Sequence, residues 1–173
     1  DMTAADAKNL RYANFDNTPT QFGVQTFDET LDLLKGKCHV NIDKFWLDIP
    51  RISDCIRKHG MADQVLIKTP AKPEYLDLVE KYAPDMPFMT VISGEDTISE
   101  ALLKRNLNYV GAEVLFSSED APVCQPDYLR PMHDRGLLVW CNSIIYDHRA
   151  QLVAGHSDDL AMSGKMDEAW GWL

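Results

Sequence analysis

Asn41 and Asp43 stand two residues apart in "HVNIDKFW", a stretch that otherwise reads as a buried strand. Residues i and i+2 of a strand point to the same side. An amide and a carboxylate therefore reach into one space, with the Lys44 ammonium beside them. Such oxygen donors hold hard divalent cations, Ca2+ or Mg2+. The plain alternative is a helix N-cap or a strand end in water. Lys68 closes "QVLIK" just before a Thr-Pro turn. There it can neutralise a phosphate oxygen or simply stand in solvent. Glu113 sits inside "YVGAEVLF", where a charge is costly unless paired or metal-bound. An inward Glu113 beside Lys68 satisfies both; an outward one has to reach solvent between covering helices. Trp140 and Asn142 share one strand face in "GLLVWCN". A tryptophan near a strand end is a wall for a ligand or plain core, and core is the default.

Other chemistry-bearing residues have cheaper explanations. His156, Asp158 and Asp159 in "GHSDD" form a metal-cluster candidate, but N-cap chemistry ahead of "LAMSGKMDEAWGWL" accounts for them. His39, His59, His133 and His148 are scattered and read as structural or solvated. There is no glycine-rich phosphate loop, no GxSxG and no HExxH. A receiver domain has an acidic cluster and a lysine on its last strand; here the strand-end lysine comes on the second.

The candidate residues are carried by a repeating pattern. Five short apolar runs, "CHVNID", "QVLIK", "PFMTVI", "YVGAEVLF" and "GLLVWCN", have polar ends near Asp43, Lys68, Ser93, Ser117 and Asn142, spaced 24 or 25 residues apart. Helix signals fall between and before them. Thr3 and Thr26 open capping boxes in "TAAD" and "TFDE". Asp48 with Pro50 starts a helix that stops at Gly60, Pro73 opens "PEYLDLVEKYA", Asp96 or Thr97 opens "ISEALLKRN", and Pro126 opens a helix limited or kinked by Pro131. Strand-then-helix alternation predicts an α/β fold with right-handed βαβ units and a parallel sheet. Nearly continuous apolar strands predict helical cover. Two architectures fit: a five-stranded doubly wound sheet of flavodoxin type, or part of a (β/α)8 barrel, which takes about 250 residues. Length alone favours the first. In both, ligands bind at the carboxyl ends of the strands, where the polar residues collect.

The chain of 173 residues suits a single domain, 1–173, with ordinary fractions of hydrophobic (45%) and charged (25%) residues. Its net charge of −10 disfavours nucleic acid but leaves room for a small phosphorylated substrate held with a cation. No apolar run is long enough for a membrane span, and the start has no signal-peptide pattern. Cys38, Cys55, Cys124 and Cys141 make no CxxC pair; three lie in apolar surroundings as free thiols, which leans toward a reducing, cytoplasmic compartment.

Taken in order, several segments resemble the glycerophosphodiester phosphodiesterase family. "VQTFDETLDLLKGKCHVNID" is similar to its segment of a turn, a helix and a strand with acidic residues. "DQVLIKTP" resembles the next strand, "GLLVWCNSI" the late strand ending in Trp and Asn, and "GHSDDLAMSGKMDEAWGWL" the approach to the final strand. The ordered set, rather than any single motif, carries the resemblance across nearly the whole chain. It implies a (β/α)8 barrel, reversing the choice by length, and divalent-metal-dependent hydrolysis of a glycerophosphodiester to glycerol phosphate and an alcohol.

The family's His-Arg-Gly strand, its Glu-Asn-Thr and His-Asp segments and its Thr-Asp-Pro ending are absent. They supply the two catalytic histidines and most metal ligands. The resemblance thus implies an incomplete barrel lacking its first two strands and its last, with about five strands present. Asn41-Ile42-Asp43 stands where the family has Glu-x-Lys, so Asp43 takes over the ligand role or the site is altered. Lys68 is then the replacement for the missing lysine, with a catalytic and substrate-binding part. Trp140 matches the aromatic near the substrate glycerol, and Glu113 has no family counterpart. The implied assignment is Asp43 and Asn41 for the metal, and Lys68, Trp140, Asn142 and Glu113 for the substrate. The alternative is a non-catalytic barrel relative that binds a phosphorylated ligand or a partner. A half-barrel exposes strand edges, so self-association is expected.

Overall fold

The computed structural model of the chain describes residues 2–144 and 152–173, so His148 lies outside them. Helix α1 (Ala4–Lys8) starts at Thr3, whose hydroxyl accepts from the Asp6 N–H while the Asp6 carboxylate accepts from the Thr3 N–H. An antiparallel hairpin of β1 (Arg11–Ala13) and β2 (Pro19–Gly23) follows, unforeseen in the sequence. Its strands are short, mostly exposed and weakly patterned. The turn is local chemistry: the Asp16 carboxylate accepts from the Thr18 N–H, and Asn17 takes a left-handed φ of 65°, which asparagine tolerates well.

The expected alternation then runs through the chain. Helix α2 (Phe27–Leu34) begins at the Thr26–Glu29 capping box. It is followed by β3 (Val40–Ile42), a 3-10 turn (Phe45–Leu47), α3 (Ile49–Lys58), β4 (Val65–Pro70), α4 (Pro73–Tyr82), β5 (Phe88–Ser93), α5 (Ser99–Leu102), β6 (Tyr109–Leu115), a second 3-10 turn (Pro122–Cys124), α6 (Pro126–Asp134), β7 (Leu138–Cys141), α7 (Asp158–Met162) and α8 (Met166–Ala169). Asp48 caps α3 through the Arg51 N–H, and Pro131 lies inside α6. Helix α5 is shorter than the "ISEALLKRN" pattern predicts. Asp96 accepts from the Ile98 and Ser99 N–H groups and sets its start. Arg105 then turns away to Glu80 and Asp77, and Glu80 also accepts from the Asn106 N–H, which closes the chain into a turn.

Strands β3 to β7 form one parallel sheet in the order β3-β4-β5-β6-β7. The sheet curls as a half-barrel. Chain order equals spatial order, so right-handed crossovers place successive helices on the same side. Burial agrees. Ile42, Val65, Ile67, Phe88, Ile92, Ala112 and Val114 pack in one core with Leu31, Ile49, Ile56, Leu76, Val79, Leu102 and Met132 of the helices. Neighbouring units are tied at the surface by Arg57 to Asp85, Arg105 to Glu80 and Arg135 to Glu100. Such exposed pairs each contribute little.

The register assigns the remaining residues to the opposite, open face. Asn41 pairs with Leu66, Lys68 with Met89, Val91 with Glu113, and Glu113 with Trp140. Among the described residues, no helix is long and apolar enough to cross a membrane.

Candidate functional site

All six residues singled out in the sequence lie on this open face and line one cleft of about 320 Å³ at the carboxyl ends of the strands. Asn41 and Asp43 come from the end of β3, Lys68 from β4, Glu113 from β6, and Trp140 with Asn142 from β7 and its exit. The period of two in each strand and the parallel register together bring them to one rim.

At the centre is an ion pair. Lys68 donates to the Glu113 carboxylate, with both side chains almost wholly buried (7% and 8% exposed). Asp43 Oδ1 lies 4.0 Å from Lys68 Nζ, and the ammonium stands 4.9 Å from the centre of the Trp140 ring, within cation–π range. Trp140 is 39% exposed, so it forms a wall of the cleft and the core default fails. The cause is its register: Trp140 pairs with Glu113 on the face that carries no helices. Lys68 is likewise no solvated strand end, and Glu113 faces inward beside it, as the first of its two sequence alternatives has it.

The rim is more open. The Asp43 side chain is 60% exposed, and Lys44 Nζ approaches it at 3.8 Å. Lys44 has a left-handed φ of 54°, which swings the chain from β3 into the Phe45–Leu47 turn, where fully buried Phe45 anchors it. A β-carbon in that region costs about 1–2 kcal/mol, whereas glycine tolerates it at an entropic cost of about 0.5–1 kcal/mol. Lys44→Gly should therefore raise stability by roughly 0.5 kcal/mol. Thermal unfolding checks this, and a clear loss of stability would mean that the Lys44 side chain holds the rim.

Cys141, Ser143 and Ile144 also line the cleft and were not singled out in the sequence. Their signal was the "CNSI" turn. The Asn142 side-chain oxygen accepts from the Ile144 N–H at 3.4 Å, and the Ser143 carbonyl accepts from the Asp158 N–H at 2.9 Å. The latter bond ties the start of α7 to the rim.

The histidines lie elsewhere. His39 precedes β3, at the far end of that strand from the cleft, His133 is in the last turn of α6, and His59 ends α3. His156 stacks on Trp172 at 4.1 Å between ring centres and bonds to Glu119 and to the Glu168 carbonyl. Among the described residues, no histidine lines the cleft. The four cysteines are free, and burial pushes the thiols of Cys55, Cys124 and Cys141 up.

Asn41 and Asp43 offer only oxygen atoms, a donor set that suits a hard cation completed by water or phosphate oxygens. No family model matches the chain, and no curated protein matches it significantly.

Proposed function

We propose that the strand-end cleft binds a phosphodiester together with a divalent cation, Ca2+ or Mg2+. On this reading the chain carries the substrate cleft of a hydrolase resembling the glycerophosphodiester phosphodiesterases, within a barrel of (β/α)8 type. The observation that carries the proposal is the convergence of Asp43, Lys68, Glu113 and Trp140 from four strands on one cleft. A sequential strand order with one open sheet face supports the barrel over a doubly wound sheet, whose order reverses and whose two faces are covered.

Each residue has a distinct part. Asp43 and Asn41 hold the cation. When bound, the cation polarises the phosphoryl oxygen and offsets its developing charge. Lys68 supplies a positive charge to a phosphate oxygen, with its orientation fixed by Glu113. Trp140 offers an apolar wall to the glycerol, and Asn142 a hydrogen-bonding amide at the same rim. Proton transfer at the leaving and attacking oxygens needs a general acid and base. No histidine among the described residues stands at the cleft to serve, and that observation favours the second reading, a barrel relative that binds a phosphorylated ligand or a partner.

Titration calorimetry with glycerophosphocholine, in the presence of Ca2+ or Mg2+, tests the binding role. Asp43 is exposed, so Asp43→Asn should keep the fold and weaken cation-dependent binding by about ten-fold or more, on the order of 1.4 kcal/mol. Absence of binding to the unaltered chain, or equal binding by the variant, would overturn the proposal. Release of glycerol phosphate selects the hydrolase, and binding without release selects the second reading.

A further inference from the structure

A second cluster of metal-ligating side chains lies away from the cleft, between α2 and α3. Asp28 and Asp32 are one helical turn apart on α2; Cys55 and His59 are one turn apart at the end of α3. Residues at i and i+4 share a helix face, so two pairs meet across the contact of the helices. The ligand atoms of Asp28, Cys55 and His59 all lie within 4.8 Å of one another. His59 is held on both sides: Nδ1 is 2.8 Å from Asp32 Oδ1 and Nε2 is 3.0 Å from Asp28 Oδ1. Its side chain is only 11% exposed.

We propose that Asp28, Cys55 and His59 form a binding site for a borderline-soft divalent metal ion, zinc by donor type, with Asp32 orienting the imidazole. Sulfur, nitrogen and oxygen donors together suit zinc, whereas a hard cation such as Mg2+ takes oxygen alone. Zinc bonds of about 2.0–2.3 Å place tetrahedral donors roughly 3.3–3.8 Å apart. Side-chain rotation of about 1 Å closes the cluster to that geometry, and water completes it. Asp32 on Nδ1 matches the usual arrangement in which a carboxylate holds the far nitrogen of a metal-bound histidine and fixes its tautomer.

Binding follows a defined proton balance. The Cys55 S–H bond breaks as a metal–sulfur bond forms. His59 binds through Nε2, and any proton on that nitrogen goes to solvent, while Nδ1–H stays on Asp32. Affinity therefore falls as pH falls, since protons compete for the same atoms. Lys58 Nζ stands 3.6 Å from Asp28 Oδ1 but is 76% exposed and free to swing away.

Co2+ is the spectroscopic stand-in for zinc. The full chain, kept reduced near neutral pH, should take up one equivalent with an intense thiolate charge-transfer band that Zn2+ displaces. Cys55→Ser should erase that band. Asp32→Asn should keep it but weaken binding by about 10–100-fold. Asp43→Asn, in the other cleft, should leave the thiolate band in place. Zn2+ should raise the melting temperature of the unaltered chain and not that of Cys55→Ser, a comparison that holds if the variant is less stable. Absence of the band, its persistence in Cys55→Ser, or its loss only on changing exposed Cys38 would overturn the site and leave an ordinary imidazole–carboxylate pair between helices.

Discussion

Glu113→Leu is expected to destabilise the chain by about 3 kcal/mol, the low end of the 3–5 kcal/mol seen when one partner of a buried ion pair is removed. The cost comes from Lys68. Its side chain is 7% exposed and Glu113 is its close partner. Without Glu113, the nearest carboxylate is Asp43 at 4.0 Å, itself half in water. That residual attraction is why the low end applies. Removing both charges tells a different story, because an apolar pair of similar volume is often neutral or stabilising. Lys68→Met with Glu113→Leu should recover most of the loss while abolishing the phosphodiester binding proposed for the cleft. Urea unfolding of the two variants measures both energies, provided the denaturant slope stays constant. A cost below about 1 kcal/mol for the single change would mean that water reaches Lys68, and the buried-pair account would fail.

Gly111→Ala is expected to cost about 2–6 kcal/mol, combining backbone strain with overpacking. Gly111 has φ 153° and lies where the β5–β6 register shifts. A β-carbon there would overlap the Leu138 carbonyl oxygen and sit 2.8 Å from the Leu138 nitrogen. Those are backbone atoms of the neighbouring strand, so no side chain can rotate out of the way. Strand β7 would have to move, and it carries Trp140 and leads into Asn142. Loss of stability and loss of ligand binding should therefore appear together. Unfolding with cleft binding measured in parallel tests the coupling. A stable variant with an intact cleft would show that the β6–β7 pair is not held at this distance.

The two variants probe different parts of one design. Glu113 stands where buried charge is tolerated only because it is paired, and Gly111 where the backbones of two strands approach too closely for any side chain. Both lie on the open face of β6, two residues apart, and both set the position of the Trp140 wall.

Much of this was legible in the residues. The five strands, their spacing and the helix starts at Thr26, Asp48, Pro73 and Pro126 follow from apolar periodicity and capping chemistry, which are local properties. The polar strand ends marked the rim for the same reason: a charge is conspicuous in an apolar run. Local signals also set their own limits. The β1–β2 hairpin was not visible, because short exposed strands need no apolar alternation. The early end of α5 leaves no local signal, because Arg105 and Asn106 take partners on α4 that no local pattern records. Periodicity put Trp140 and Asn142 on one face but could not say which face was covered. Only the sequential strand order decided that, by placing the helices on one side and leaving Trp140 on the other. The same holds for Lys68 with Glu113, 45 residues apart, and for His59 with Asp28, 31 apart. The sequence by itself determined which residues carry chemistry and at which strand or helix ends they stand. Their partners were decided by tertiary structure, since register and helix packing join segments that share no local signal.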